Sequence, residues 1–159
     1  MTGREKQKAL SLYRLTQAEE SLDEARYLLA GGKSLRSVIN RVYYGMFYSI
    51  LGLLIYEPYA SSKHSGVLSY FNKRFIGDGI FPEQMGRTVH KAFDLRQRGD
   101  YREYQEIEPD QVGPLLEQAD AFVRAVRQYL EKHLFIEEGL GSIIISKGCW
   151  PALIASMTG

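Results

Sequence analysis

The sequence predicts an all-α fold: an up-and-down antiparallel bundle of four long helices plus one short helix. Three observations lead there. Apolar residues recur at spacings of three and four along most of the chain, the period of a helix with one buried face. No stretch alternates with period two over a useful length, and no internal repeat stands out. Glycine, proline and serine clusters divide the chain into helix-length segments with short connections, as bundles require.

The first helix is predicted over Arg4–Ala30, with Leu15, Ala18, Leu22, Ala25 and Leu29 on one side and charged residues elsewhere. Gly31-Gly32 supplies a left-handed cap and a turn. Ser34 is the expected N-cap of a central helix that ends near Glu57-Pro58. Its large apolar residues are Leu35, Val38, Ile39, Val42, Tyr43, Met46, Phe47, Ile50, Leu51 and Leu54. A second line, Ser37, Arg41, Tyr44 and Tyr48, is polar and aromatic, with Gly45 and Gly52 beside it. Two used faces imply packing on the bundle on one side and on something else on the other. Glycine inside a helix costs about 0.5–1 kcal/mol against alanine, and close approach of a second helix would explain two of them.

S-S-K-H-S-G-V-L-S-Y-F-N-K-R-F reads as a short capped helix with Val67, Leu68, Phe71 and Phe75 inward, broken by Gly77-Asp78-Gly79. Pro82 belongs to the first turn of the next helix, whose seam of Met85, Val89, Ala92 and Phe93 runs directly onto Arg96. Gly99 is its expected stop. The last helix follows E-I-E-P-D and keeps its period through Val112, Leu115, Leu116, Ala119, Phe122, Val123, Val126, Leu130 and Leu134. Pro114 is tolerated because it lies near the helix start. Residues 1–135 form the expected bundle and 136–159 the expected flexible or loosely docked tail, which from Gly139 on has Gly, Pro and an Ile triplet with almost no charge.

Totals exclude several classes. The 159 residues suit one domain with a real core. A formal net charge of +1 gives no chain-wide field for nucleic acid or membrane, so an RNA role needs a local basic site. A single cysteine, Cys149, rules out an intramolecular disulfide and a cysteine-built zinc site. No apolar run is long enough to span a membrane and no signal peptide precedes the first helix, so a soluble cytoplasmic protein without membrane contact is expected. H-E-x-x-H, P-loop and G-x-S-x-G motifs are absent, and no metal or cofactor is expected.

The chemistry-bearing stretch is L-R-Q-R-G-D-Y-R-E-Y, residues 95–104. Arg96 continues an apolar seam, so its guanidinium should lie at the bundle edge rather than in open water. Asp100 is one turn on and could pair with it. Tyr101 is about 140° round an ideal helix and shares the Arg96 side only if Gly99 breaks the helix. Two readings stand open: an ion pair closing a helix end, or an anion site in which Arg96, helped by Arg98 or Arg102, forks onto a phosphate. Arg41 is either an interface arginine or a second phosphate contact, with Tyr44 and its neighbours as stacking platforms for a base. His64 is either a capping or packing histidine or a site residue.

S-V-I-N-R-V-Y-Y-G-M-F-Y, K-H-S-G-V and L-R-Q-R-G-D-Y, in that order and spacing, resemble the signatures of the HEPN domain and of the small stand-alone HEPN proteins in particular, over about residues 5–135. The resemblance implies a helical bundle that forms a homodimer, often encoded beside a minimal nucleotidyltransferase (MNT-type) antitoxin partner. Many such proteins are metal-independent ribonucleases whose R-x4–6-H motifs meet at the dimer interface; here Tyr44, Gly45 and Tyr48 would form that interface. Arg96 matches the motif arginine, but Tyr101 stands where a histidine would complete R-x4-H. An unperturbed tyrosine, with a pKa of about 10, is a poor base for a ribose 2′-hydroxyl.

In the ribonuclease reading Arg96 stabilises the charge building on phosphorus, and Asp100 orients Arg96 or takes the proton. Tyr101 donates to a phosphate oxygen or positions the ribose, and His64 serves as acid or base. The alternatives are a non-catalytic module that binds RNA or a nucleotide and a partner able to adenylylate Tyr101 or Tyr104, and a plain dimerisation domain.

Overall fold

The computed structural model describes the backbone of residues 2–101 and 107–136, and their side chains except at 99–101. The elements are α1 (Gly3–Ala30), α2 (Leu35–Leu54), α3 (His64–Phe71), a π-helical turn (Asn72–Ile76), α4 (Glu83–Tyr101) and α5 (Pro109–His133). This is the all-α bundle the periodicity predicts, with no strand among the described residues. The 136–159 tail falls almost wholly outside them, as do Arg102 and Tyr104.

Thr2 opens α1 with a capping box: its hydroxyl accepts from Glu5 N at 3.2 Å while Glu5 Oε2 accepts from Thr2 N at 2.8 Å. Gly32, at φ 65, then takes the left-handed turn into α2. That turn brings α2 back antiparallel along α1, as contacts of Gln7 with Ile55, Ser11 with Gly52 and Glu24 with Arg41 show. Helix α2 touches α1, α3, α4 and α5, so it is the centre of the bundle. Val38, Val42, Tyr43, Met46, Ile50 and Leu53 are fully inaccessible, and meet Leu15, Val89, Val112, Ala119 and Val126 from the helices around them. Two ion pairs on the rim, Arg127 with Glu19 and Arg26 with Asp120, run in opposite order along α1 and α5 and make that pair antiparallel too.

Both α2 glycines face α1. A Cβ on Gly45 would lie 2.5 Å from Leu22 Cδ2 and 2.8 Å from its Cγ. At Gly52 the nearest atoms would be at 3.5 Å, an ordinary contact, and Gly52 O accepts from the buried Ser11 hydroxyl at 3.0 Å. The close approach inferred from two glycines is therefore within the chain. Gly45 is buried against α1 and is not available to a second copy, which corrects its assignment to a dimer interface.

Two further differences concern helix ends. The short helix ends at Gly77-Asp78-Gly79 as expected, but its last five residues, Asn72–Ile76, widen into a π turn, closed by Gly77 N donating to Asn72 O at 2.8 Å, with Phe71 and Phe75 both inward. α4 does not stop at Gly99. Its backbone stays helical to Tyr101, so position 101 remains about 140° from position 96 and the break that would bring them together does not occur.

The two glycines respond oppositely to alanine. Gly45→Ala forces a methyl into the packed Leu22 side chain, and should destabilise by about 1–3 kcal/mol, less the helix-propensity gain. Gly52→Ala should be neutral or stabilise by up to about 1 kcal/mol. Urea denaturation of both variants measures the contrast.

Candidate functional site

The second face of α2 meets the start of α3 and the C-terminal half of α4. Adjacent positions Tyr43 and Tyr44 point to either side of this junction, with Phe47 one turn on. Tyr43 is fully buried and its Oη hydrogen-bonds His64 Nδ1 at 2.9 Å. The His64 ring stacks on Phe47, with centroids 4.2 Å apart and planes at 20°, and lies 5.8 Å from the rings of both Tyr43 and Tyr44.

The peptide before α3 is pressed onto its first turn. A Cβ on Gly66 would come within 2.8 Å of Ser61 Oγ and 2.9 Å of Tyr59 Oη, so these two side chains sit close over the first turn of α3.

Arg96 reaches into the same cluster from α4. Its guanidinium carbon is 5.2 Å from the Tyr43 ring centre and 5.0 Å from that of Tyr44, and Nη2 donates to Tyr44 Oη at 3.2 Å. Nε is buried and has no hydrogen-bond partner among the described residues. No carboxylate among the described residues pairs with this arginine. Ring faces stabilise a cation by roughly 0.5–2 kcal/mol, but they leave most of its N–H donors unused.

Arg41 approaches from the other end of the tyrosine line. Its guanidinium carbon lies 5.2 Å from the Tyr44 ring centre, beside Asn40 Oδ1 at 3.0 Å and Glu24 at 3.4 Å. Tyr48 follows, 5.5 Å from the Tyr44 ring. Arg41, Tyr44, Tyr48, His64 and Arg96 thus come together. Arg98 does not: it lines a separate groove of about 1030 Å³ on another side of α4, with Lys73, His90 and Lys91. Its expected role beside Arg96 is corrected accordingly. The side chains of Asp100 and Tyr101, and all of Arg102 and Tyr104, lie outside the described residues.

The electrostatics follow from this packing. Burial, and then the positive charge of Arg96, hold His64 below its ordinary pKa and keep the imidazole neutral. Burial pushes the Tyr43 hydroxyl well up against the opposing pull of Arg96, so it stays protonated. Sequence reasoning placed Tyr43 and Phe47 in the core without seeing that they position His64. The signal was present: Y-Y-G-M-F-Y puts aromatic groups on two faces at once. Among the described residues no group of three or more His, Cys, Asp or Glu side chains could hold a metal, and no helix is long and apolar enough to cross a membrane.

A five-helix bundle with an arginine-centred aromatic site defines the class. The HEPN domain family matches residues 11–129, and the chain belongs to that family. It is 36% identical over 127 residues to a UPF0332 protein of Thermotoga maritima, covering 80% of this chain and 95% of that one. It is also similar to two proteins of Methanocaldococcus jannaschii named "Putative toxin". One, MJ0605, is 31% identical over 117 residues, 74% of this chain and 86% of the relative. The other, MJ0142, is 32% identical over 116 residues, 73% and 78% respectively.

A histidine held below its ordinary pKa has a definite effect on stability. From about pH 6.5 downward the unfolded chain binds a proton at this position that the folded chain refuses, so stability falls with pH until the folded-state value is passed. Urea midpoints measured from pH 8 to pH 5 should fall less steeply in His64→Gln than in the parent.

Proposed function

We propose that the chain is the toxin component of a HEPN–nucleotidyltransferase toxin–antitoxin pair, and that its Arg96 site binds an RNA phosphate for metal-independent cleavage. The observation that carries this reading is the Arg96 guanidinium, half-buried against two tyrosine rings with no carboxylate partner among the described residues. A half-buried cation favours an anion beside it, and none of the described residues supplies one. A phosphoryl group suits a guanidinium fork, as a carboxylate does. Arg41 gives a second cation beside the Tyr44 ring, and Tyr44 and Tyr48 offer faces on which a base can stack. Two relatives named as toxins favour this assignment.

In this reading the bundle 1–135 acts as a homodimer through the Tyr44 and Tyr48 face, with 136–159 as an accessory tail. Arg96 stabilises the charge on the pentacoordinate phosphorus. Asp100, one helical turn away in an unbroken helix, is in register to orient the guanidinium or to take the 2′-hydroxyl proton. A second reading, a non-catalytic RNA- or nucleotide-binding module, is favoured by Tyr101 standing in place of the motif histidine. In that case Tyr101 or Tyr104 becomes a target for adenylylation by the partner.

The purified chain, incubated with bulk transfer and messenger RNA in EDTA, should cleave. Arg96→Ala, with its fold verified by circular dichroism, should lose about 100- to 1000-fold in rate, the usual cost of removing one donor to a developing anion. Arg98→Ala should keep most of the activity. RNA binding lost in Arg96→Ala without cleavage by the parent would select the non-catalytic reading. Equal binding by parent and Arg96→Ala would exclude both.

A further inference from the structure

We infer that Tyr43 is a positioning residue that locks His64 in its Nε2–H tautomer, making the imidazole a second hydrogen-bond donor beside Arg96 for one phosphoryl group. Only the last step, the identity of the acceptor, rests on the phosphate-binding reading above.

The Tyr43 side chain is fully inaccessible, so its hydroxyl cannot turn to water. A buried hydroxyl proton without an acceptor is costly. Among the described residues its one hydrogen-bond partner is His64 Nδ1, at 2.9 Å. The guanidinium packed against the Tyr43 ring, that of Arg96, offers donors and no acceptor. The Tyr43 proton therefore goes to Nδ1, and a ring that accepts at Nδ1 carries its own proton on Nε2. An imidazolium has no acceptor nitrogen and would oppose the hydroxyl proton; it would also face the charge of Arg96. Phe47 stacked at 4.2 Å limits how the ring can tilt.

Nε2 has no partner among the described residues, and His64 is partly exposed, so its N–H is open to a ligand. His64 and Arg96 lie against the same two rings. The imidazole centre is 5.8 Å from each, and the guanidinium carbon 5.2 and 5.0 Å from them. Donors from α3 and α4 thus converge, and the non-bridging oxygens of one phosphoryl group can accept from both. In this tautomer His64 does not take a proton from a ribose 2′-hydroxyl: Nδ1 is already occupied by Tyr43 and Nε2 already bears hydrogen. Its contribution is to hold negative charge, which leaves the base to another group.

The test uses the full chain labelled with ¹⁵N at histidine, with His64→Gln identifying the resonance. Ring nitrogen shifts at pH 7.5 should show Nε2 protonated and Nδ1 bare. Tyr43→Phe keeps the ring and removes the hydroxyl; its His64 signals should move to an average of two tautomers. Inorganic phosphate, titrated into both, should bind about three- to tenfold more weakly to Tyr43→Phe, as expected for a misdirected hydrogen bond. A parent protein with Nδ1 protonated would overturn the inference even if the variant fails to fold. Unchanged ring shifts in folded Tyr43→Phe would overturn it as well. The expected tautomer without any phosphate binding would support the lock, and would overturn the donor role together with the phosphate reading.

Discussion

The contact between α1 and α2 at Gly45 decides where everything else can go. With no side chain at Gly45, Leu22 comes close to the α2 backbone and the two helices lie against each other along most of their length. That contact commits one side of α2 to α1, and α5 covers another with Leu115, Ala119 and Val126. What remains is the side carrying Tyr43, Tyr44 and Phe47, and α3 and α4 must close over it. Packing a 20-residue helix on nearly all sides makes its remaining aromatic surface a fixed platform. His64 and Arg96 arrive from different elements at a position that neither could define alone.

The site handles charge in an unusual way for a bundle edge. Elsewhere arginines sit beside carboxylates: Arg26 with Asp23 and Asp120, Arg127 with Glu19 and Glu131, Arg74 with Glu57 and Asp78. These are rim pairs of the kind worth about 0–1 kcal/mol each, and their donors are used. Arg96 is stabilised by ring faces and one tyrosine hydroxyl instead. Aromatic quadrupoles attract the charge without occupying the N–H groups, so the cation is held in place while its hydrogen-bonding capacity stays open. The same charge works on its neighbours by disfavouring protonation of His64 and opposing the rise in the Tyr43 pKa.

Most of the fold was legible because it rests on period alone. The seams of α1, α2, α4 and α5 gave the helices and nearly all of their buried residues, since i, i+3, i+4 spacing is a direct image of a helix against a core. Helix ends were less legible. Gly99 reads as a stop by local propensity, yet α4 continues, because a glycine costs only about 1 kcal/mol inside a helix already held by its packed half. The π turn after Phe71 left no trace in the pattern, since Phe71 and Phe75 at i, i+4 look the same with or without the extra residue. The site was half legible. Arg96 showed itself as a charge on an apolar seam, and Arg41 and Tyr44 as a polar line on the central helix. That Arg98 faces a different groove follows from its being about 200° round from Arg96, which the motif string conceals. The link from Tyr43 to His64 joins residues 21 apart through the fold, and no spacing rule encodes it.

These points bear on what a tyrosine at position 101 changes. A ribonuclease needs both a group to hold charge on phosphorus and a group to take a proton, and the two can be lost independently. The described site is rich in the first: a guanidinium with open donors, an imidazole whose free nitrogen is a donor if Tyr43 holds the other, and a tyrosine hydroxyl already bound by Arg96. A general base at neutral pH requires an acceptor that is free of its proton there, and an unperturbed phenol, with a pKa of about 10, is almost wholly protonated. Tyrosine in place of histidine withdraws one candidate base and leaves Arg96 and the rings that hold it as they are. Asp100, in register with Arg96 on an unbroken helix, is then the group on which catalysis would depend.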